Sequence, residues 1–384
     1  MKLLYICNEY NLKSGTGTVA WNLIREAVKG GHEVVVATEK SAQNEPVEGV
    51  SAVHTLLCSF RDNRIKPVRV MHDAMRLKKM VREVDVVHIL VEQYLPLAAK
   101  LRHSSIFIHL HGTYSVVVFK RRLAKHYFKG LQHIAGVMSN SRYTAKIFRE
   151  ASGYRGPIRI TPWGVDTAHF CPRREKARMR SALFVGQIKP RKGLVYILEA
   201  FGETASRFAD LRLYVAGRVD FSEKYLAECK SVIERVGVGN KIKLLGRISD
   251  DDLVKYYQSV CVNVLSSVNV VEDFEGFGLV HLEANACGTP SIGSYGCGNE
   301  DVIVDGETGW LCPQRDPKAI ARSLTHAFSI FGTDEYDHMS VTCRKHALKY
   351  TWSSCFEKVF RMYAAGQGEG EMNCDVAYGK TVDG

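Results

Sequence analysis

Two series of short apolar runs, each alternating with helix-like segments, constrain this chain most. In the first half the runs are KLLYIC, EVVVAT, DVVHIL (85–90), SIFIHLHG (105–112), AGVMSNS (135–141) and IRITPWGVD (158–166). In the second half ALFVGQI (182–188), LRLYVAG (211–217), KIKLLGRI (241–248), CVNVLSS (261–267), PSIGS (290–294) and TGWLCP (308–313) repeat the pattern. Runs this short and this continuously apolar suit strands covered on both faces. Alternation with helices predicts parallel sheets flanked on both sides, an α/β class with two doubly wound halves. A length of 384 residues suits two domains.

The expected division is a first domain over 1–170 and a second over 181–350. The charged segment TAHFCPRREKARMR (167–180) reads as a linker between them. Residues 317–331, 335–350 and 352–364 read as helices, the last expected to pack back on the first domain. The Gly-rich polar tail 366–384 has little to bury and is expected to be disordered.

Composition narrows the function classes. No run of about 18 apolar residues occurs, so no membrane span is expected. MKLLYICNEYN is apolar over too few residues for a signal peptide and reads as a first strand. Eleven scattered cysteines without a Cys-x-x-Cys pair suit reduced thiols and a cytoplasmic location. Residues 1–170 hold 25 Lys+Arg against 13 Asp+Glu, a net of +12, and the remainder is −1. The excess includes Lys120, Arg121, Arg122, Lys125 and Lys129. Such a half can meet anionic lipid at a membrane surface or a phosphorylated acceptor, or be a solvated basic face. No nucleic-acid motif accompanies it, so nucleic acid is not an expected partner.

The stretch EDFEGFGLVHLEANACGTP (272–290) carries the chemistry. Gly276 and Gly278 follow Glu275 directly, and the run from Leu279 to Ala286 has helix composition, stopped by Gly288-Thr289-Pro290. A helix N-terminus with uncovered amides suits an anion such as a phosphate. Glu275 just before the helix and Glu283, placed about two turns inside, must then serve another part of the ligand, for which a hydroxyl-rich sugar is the natural partner. The plain alternative is a core helix with a capping acid. A Gly loop, Ser14–Gly15–Thr16–Gly17–Thr18, precedes a helix carrying Val19, Leu23, Ile24 and Ala27 on one face. It suits phosphate contact or a tight turn, since Ala20 breaks the full Gly-x-Gly-x-x-Gly fingerprint. His111 closes a strand at the end where ligands bind in such sheets, unless it is structural. Lys192 sits on the loop 189–193 that opens a helix, where a cation can hold a diphosphate or remain a solvated charge. Two doubly wound halves predict a nucleotide cleft between them.

In this order and spacing the motifs resemble the retaining glycosyltransferases of family four, with the two-domain GT-B fold of facing Rossmann-like halves. The resemblance runs from Ser14–Thr18 to Trp352. It rests on EGFGLVHLEANACGTP, Gly296–Glu300, DGETGWLCP (305–313), VGQIKPRKGL (185–194), PWGVD (162–166) and TWSS (351–354). It implies a UDP- or GDP-sugar donor and a sugar or lipid-linked acceptor. Glu283 would bind ribose hydroxyls, and Glu275 the donor sugar. The amides of Phe277, Gly278 and Leu279, beside Gly276, would hold sugar or diphosphate oxygens. Lys192 and the amide near Gly17 would neutralise the leaving diphosphate. The base would rest near Gly246 and Arg247. Ser14, Gly15, Thr16 and His111 would form the acceptor side. Where such enzymes carry an arginine this chain has Gln187, so Lys189, Arg191 or Arg218 would have to substitute for its charge. No metal or other cofactor is implied: Asp250 and Asp252 read better as acids in a first helical turn beside an N-cap. A nucleotide-sugar epimerase and a catalytically weak nucleotide-sugar-binding subunit are the alternatives.

Overall fold

The computed structural model describes residues 1–59, 66–173, 180–208, 210–218 and 223–367. Residues 368–384 of the expected disordered tail and residues 174–179 of the expected linker lie outside the described residues, whereas Gly366 closes the last helix instead of opening a tail. The chain divides into two compact units, one of Met1–Trp163 with the segment from Trp352, the other of Gly164–Thr351.

The first unit is a seven-stranded parallel sheet. Its strands are β1 (Lys2–Ile6), β2 (Glu33–Glu39), β3 (Val50–Leu56), β4 (Val86–Ile89), β5 (Ile106–Leu110), β6 (Gly136–Ser139) and β7 (Ile158–Ile160). They lie in the order β3-β2-β1-β4-β5-β6-β7. Strands β4, β5 and β6 are buried along their whole length, and β1 and β2 are buried after their first residue, as continuous apolar runs require, while edge strand β3 alternates exposed and half-buried residues before a buried Leu56. Helices α1 (Gly15–Lys29), α2 (Pro67–Val81), α3 (Ala98–Leu101), α4 (Tyr114–Val117), α5 (Ala124–Leu131) and α6 (Arg142–Ser152) connect them.

The second unit is a six-stranded parallel sheet in the order β10-β9-β8-β11-β12-β13. The strands are β8 (Ser181–Val185), β9 (Arg212–Ala216), β10 (Ile242–Gly246), β11 (Val262–Val264), β12 (Ser291–Ser294) and β13 (Gly309–Cys312). The helices are α7 (Leu194–Ala205), α8 (Glu223–Val236), α9 (Asp250–Ser259), α10 (Leu279–Ala286), α11 (Pro317–Ile330) and α12 (Asp334–Ala347). The last helix, α13 (Trp352–Gly366), buries Trp352, Cys355, Val359, Met362 and Tyr363 in the core of the first unit.

The boundary falls at Trp163/Gly164, ahead of the expected 170. Residues 164–171 are tied into the second unit by backbone groups, so they are no free linker. Arg344 donates to the carbonyls of Thr167 and Phe170 at 3.0 and 2.8 Å, and Gln258 to that of Cys171 at 2.7 Å. In both sheets the strand order reverses once, between β1 and β4 and between β8 and β11. Loops leaving the carboxyl ends of those strands diverge there and leave room for a ligand.

Candidate functional site

The loop after β8 and the segment after β11 bring the main acid and its partners together at the reversal point of the second sheet. Gly193, at φ 67°, ends the first of these, and a Cβ there would collide with the Ser266 carbonyl. Only glycine lets this loop lie so close to the end of β11. As a result Lys192 Nζ reaches Glu275 Oε2 at 2.5 Å, and Arg191 Nη1 reaches the same oxygen at 2.7 Å. Ser267 Oγ donates to it as well, at 3.1 Å. Oε1 has no partner among the described residues. Arg191 Nε also lies 3.0 Å from Asp273 Oδ1, and Lys189 Nζ lies 3.5 Å from Asp273 Oδ2. Glu275 is only 8% exposed. Burial alone would raise its pKa, but Arg191 and Lys192 overcome this and hold the carboxyl well below the usual range. Burial pulls the Lys192 ammonium down to about 8, with Glu275 opposing the shift.

The turn after Glu275 is fixed from below. Gly298 N–H donates to the Glu275 carbonyl at 2.9 Å, and Asn299 Nδ2 to that of Phe277 at 3.4 Å. Phe277 is buried, and Gly276 carries the chain past Gly298. Gly278 is the N-cap of α10 at φ 90°, and no side chain caps the helix. The Leu279 and Val280 amides therefore have no intrahelical acceptor, whereas the His281 amide donates to the Gly278 carbonyl at 2.9 Å. The helix starts four residues after Glu275, so Glu283 stands about one turn inside rather than two. Its Oε2 accepts from Tyr257 Oη at 3.0 Å. Burial raises the Glu283 carboxyl to about 7, with the Tyr257 hydrogen bond opposing. Two nearby acids are thus pushed in opposite directions by their surroundings. Gly246 ends β10 at φ 65°, and Arg247 and Gln187 are exposed. Asp250 opens α9, whose N-cap Ser249 accepts from the Asp252 amide at 3.2 Å. Among the described residues no cluster of three or more His, Cys, Asp or Glu side chains could hold a metal.

In the first unit Ser14 is the N-cap of α1, and its Oγ accepts the Gly17 amide at 3.1 Å. That amide, expected at a diphosphate, is engaged within its own helix. The glycines lie in the first helical turn rather than in a preceding loop, leaving the Gly15 and Thr16 amides as the end groups without helical acceptors. His111 follows β5 directly. Its Nε2 contacts the Leu90 carbonyl, which makes Nε2 the protonated nitrogen and leaves Nδ1 a buried acceptor without a partner among the described residues. Burial lowers the imidazole to about 4, so it is neutral at physiological pH. Its ring packs 5.4 Å from that of Trp163. Glu92 Oε1 accepts the His111 amide and the Ser115 hydroxyl, each at 2.7 Å.

Sequence reading missed Ser267, Tyr257, Asp273, Asn299 and Glu92, and named Arg191 only as one substitute among three. Asp273 carried a signal, an acid two residues before Glu275. Glu92 carried a weaker one, a lone acid in an apolar run. The partners of Tyr257 and Asn299 are set by tertiary packing and had none.

Two parallel α/β units with a cationic loop facing an acid at the start of a helix define the class of GT-B glycosyltransferases. Residues 172–337 match the family Glycosyl transferases group 1, and residues 13–169 match Glycosyltransferase Family 4. The chain belongs to this glycosyltransferase family. It is 26% identical over 242 residues to a D-inositol 3-phosphate glycosyltransferase of Corynebacterium urealyticum, covering 59% of this chain and 55% of that protein. It is 29% identical over 196 residues to a GDP-mannose-dependent alpha-(1-6)-phosphatidylinositol monomannoside mannosyltransferase of Mycolicibacterium smegmatis, covering 48% and 50%. The chain thus spans about half the length of these curated relatives. A glycosyltransferase structure from Rickettsia africae shares the fold, with a TM-score of 0.78, 17% identity, and coverage of 96% of this chain and 99% of that one.

Proposed function

We propose that the protein transfers a sugar, with retention of anomeric configuration, from a UDP- or GDP-sugar to an acceptor hydroxyl. The observation that carries this reading is Glu275, whose Oε2 is clamped by two cations four residues ahead of a helix that no side chain caps. As the bond from the anomeric carbon to the diphosphate breaks, negative charge grows on the departing oxygen. In this reading Lys192 and the α10 amides stabilise it, with no metal called on. Glu275 Oε1 is free to accept from a sugar hydroxyl, and Glu283 from the ribose. The new bond forms to the acceptor oxygen, whose proton passes to the leaving phosphate oxygen, so no separate base is called for. Ser14, Gly15, Thr16 and neutral His111 serve the acceptor. The printed names of the two curated relatives, with phosphorylated inositol and a phosphatidylinositol glycolipid, support an acceptor in glycan or glycolipid synthesis. An epimerase or a weakly active nucleotide-sugar-binding subunit would bind donor without transfer. Release of nucleoside diphosphate from a panel of UDP- and GDP-sugars tests the reading. Glu275→Gln should lower turnover about 10²- to 10³-fold with the fold retained. A fully active variant, or tight donor binding with no release for any donor and acceptor, sinks it.

A second element of the reading is contact with an anionic membrane surface from the cytoplasmic side. A cavity of about 360 Å³ on the first unit is lined by Met71, Lys100, Lys125, His126 and Lys129. Exposed Val68 and Met75 lie on the neighbouring α2. Cations around an apolar floor suit a phosphate-bearing amphiphile. Among the described residues no helix is long and apolar enough to cross a membrane. The protein should float with vesicles containing anionic lipid and not with neutral ones, and absence from both removes the idea.

A further inference from the structure

His111 is held at every polar atom but one. Its amide donates to Glu92 Oε1 at 2.7 Å, its carbonyl accepts from Asn140 Nδ2 at 3.3 Å, and Nε2 meets the Leu90 carbonyl. Nδ1 alone has no partner among the described residues. Two of these holds come from one segment, Leu90–Glu92, which leaves β4 and opens the short 3₁₀ turn Glu92–Leu97. Glu92 Oε1 also accepts the hydroxyl of buried Ser115 on α4 at 2.7 Å, so this carboxyl ties the loop after β4 to the loop after β5. Glu92 is 1% exposed, and among the described residues no cation pairs with it. Its second oxygen, Oε2, is buried and has no partner there either. An unpaired buried acid is costly, and glutamine would accept the same two donors at less cost. What the acid adds is charge: a carboxylate holds an N–H about twice as strongly as a neutral oxygen does. We propose that Glu92 is a positioning residue that holds His111 and its loop in place for transfer, and that its ionised form does so. The proposal rests on the reading of His111 as an acceptor-side residue given above. Burial raises the carboxyl to about 7, with the His111 amide and the Ser115 hydroxyl opposing, so both forms are populated at neutral pH. The groups around it keep their charge states through that range. Burial lowers His88, His109 and His111, which stay neutral, and raises Tyr127 on α5. Tyr94 on the 3₁₀ turn donates to Glu39, and Asp73 on α2 accepts the Leu57 and Cys58 amides. Lys100 on α3 and Lys125 and Lys129 on α5 line the cavity described above.

Glu92→Gln keeps an oxygen for both donors and removes the charge, which makes it the informative variant. Turnover of the full chain is read as nucleoside diphosphate release from a UDP- or GDP-sugar, between about pH 6 and about pH 8. The ratio of unaltered to variant kcat should climb from under about 2-fold to roughly 10-fold across that range, with donor KM unchanged. Glu283 and Lys192 titrate in the same window, and taking the ratio removes their share. Ser115→Ala deletes one of the two donors and should move the rise to higher pH. A ratio constant with pH, a loss confined to donor KM, or a Ser115→Ala profile that does not move overturns the proposal. Isotopic labelling of the histidine backbone nitrogens supplies an NMR readout independent of activity. The His111 amide should shift as pH passes about 7 in the unaltered protein and not in Glu92→Gln. An amide indifferent to pH in both also overturns the proposal. Should Glu92→Gln fail to fold, Ser115→Ala and the amide titration carry the test. If the unaltered protein releases no diphosphate from any donor, the nucleotide-sugar reading itself falls, while the amide titration still decides whether Glu92 holds His111.

Discussion

Glu275 and Glu283 are the same side chain in opposite circumstances. Glu275 shares one oxygen with two cations and stays ionised, whereas Glu283, with a tyrosine hydroxyl for company, is raised to about 7 by burial. Each shift has its own pH signature. A carboxyl raised in the folded state adds stability that is complete below its unfolded value, near 4.3, and is lost as pH rises through about 7. Glu283→Gln should therefore flatten the fall in melting temperature between pH 5 and pH 8, by the equivalent of about 1–2 kcal/mol. Thermal melts across that range, with Glu283→Gln as steep as the unaltered protein, would contradict the assignment. Glu275 works the other way, its contribution being present above the unfolded value and lost as pH falls below it. The clamp also decides how the acid is best probed. Removing the carboxyl altogether strands two buried cations, at about 3–5 kcal/mol for a broken buried pair. Glutamine keeps an oxygen for the donors.

Among the elements, the loops after β8 and β11 matter more than the strands that launch them. Gly193 joins them, with a left-handed φ of 67° and no room for a Cβ. Gly193→Ala should destabilise the second unit by about 1–3 kcal/mol and weaken donor binding, since Lys192 and Arg191 ride on this loop. Unchanged stability and affinity would show that the loop tolerates displacement. Much at this scale was legible in the sequence. Apolar runs marked the buried strands because parallel strands covered on both faces have no polar side to confuse the pattern. Strand β3 and helix α2 escaped, β3 because an edge strand with alternate residues exposed has no such run. The glycines near position 15 read as a loop by composition, although Ser14 caps a helix that begins at Gly15. The pairing of Arg191 with Asp273 and Glu275 was out of reach, since more than 80 residues separate loop and acids and only the fold closes that distance. Lys192 was found through its position before a helix, but its acid partner was found separately.

For the whole molecule, the order of the chain and the order of its cores differ. The first unit takes its last helix from the far end of the sequence: α13 supplies Trp352, Val359 and Tyr363 to a core otherwise built before residue 164. Tyr363 Oη also meets buried His88 Nδ1 at 2.5 Å. On a ribosome this inverts the usual sequence of events. The N-terminal sheet emerges first but lacks part of its apolar cover while the entire second unit is synthesised, an interval on the order of tens of seconds at ordinary elongation rates. During that wait the surface destined for α13 faces solvent or a chaperone. The half of the protein that is translated first is therefore the half whose maturation ends last.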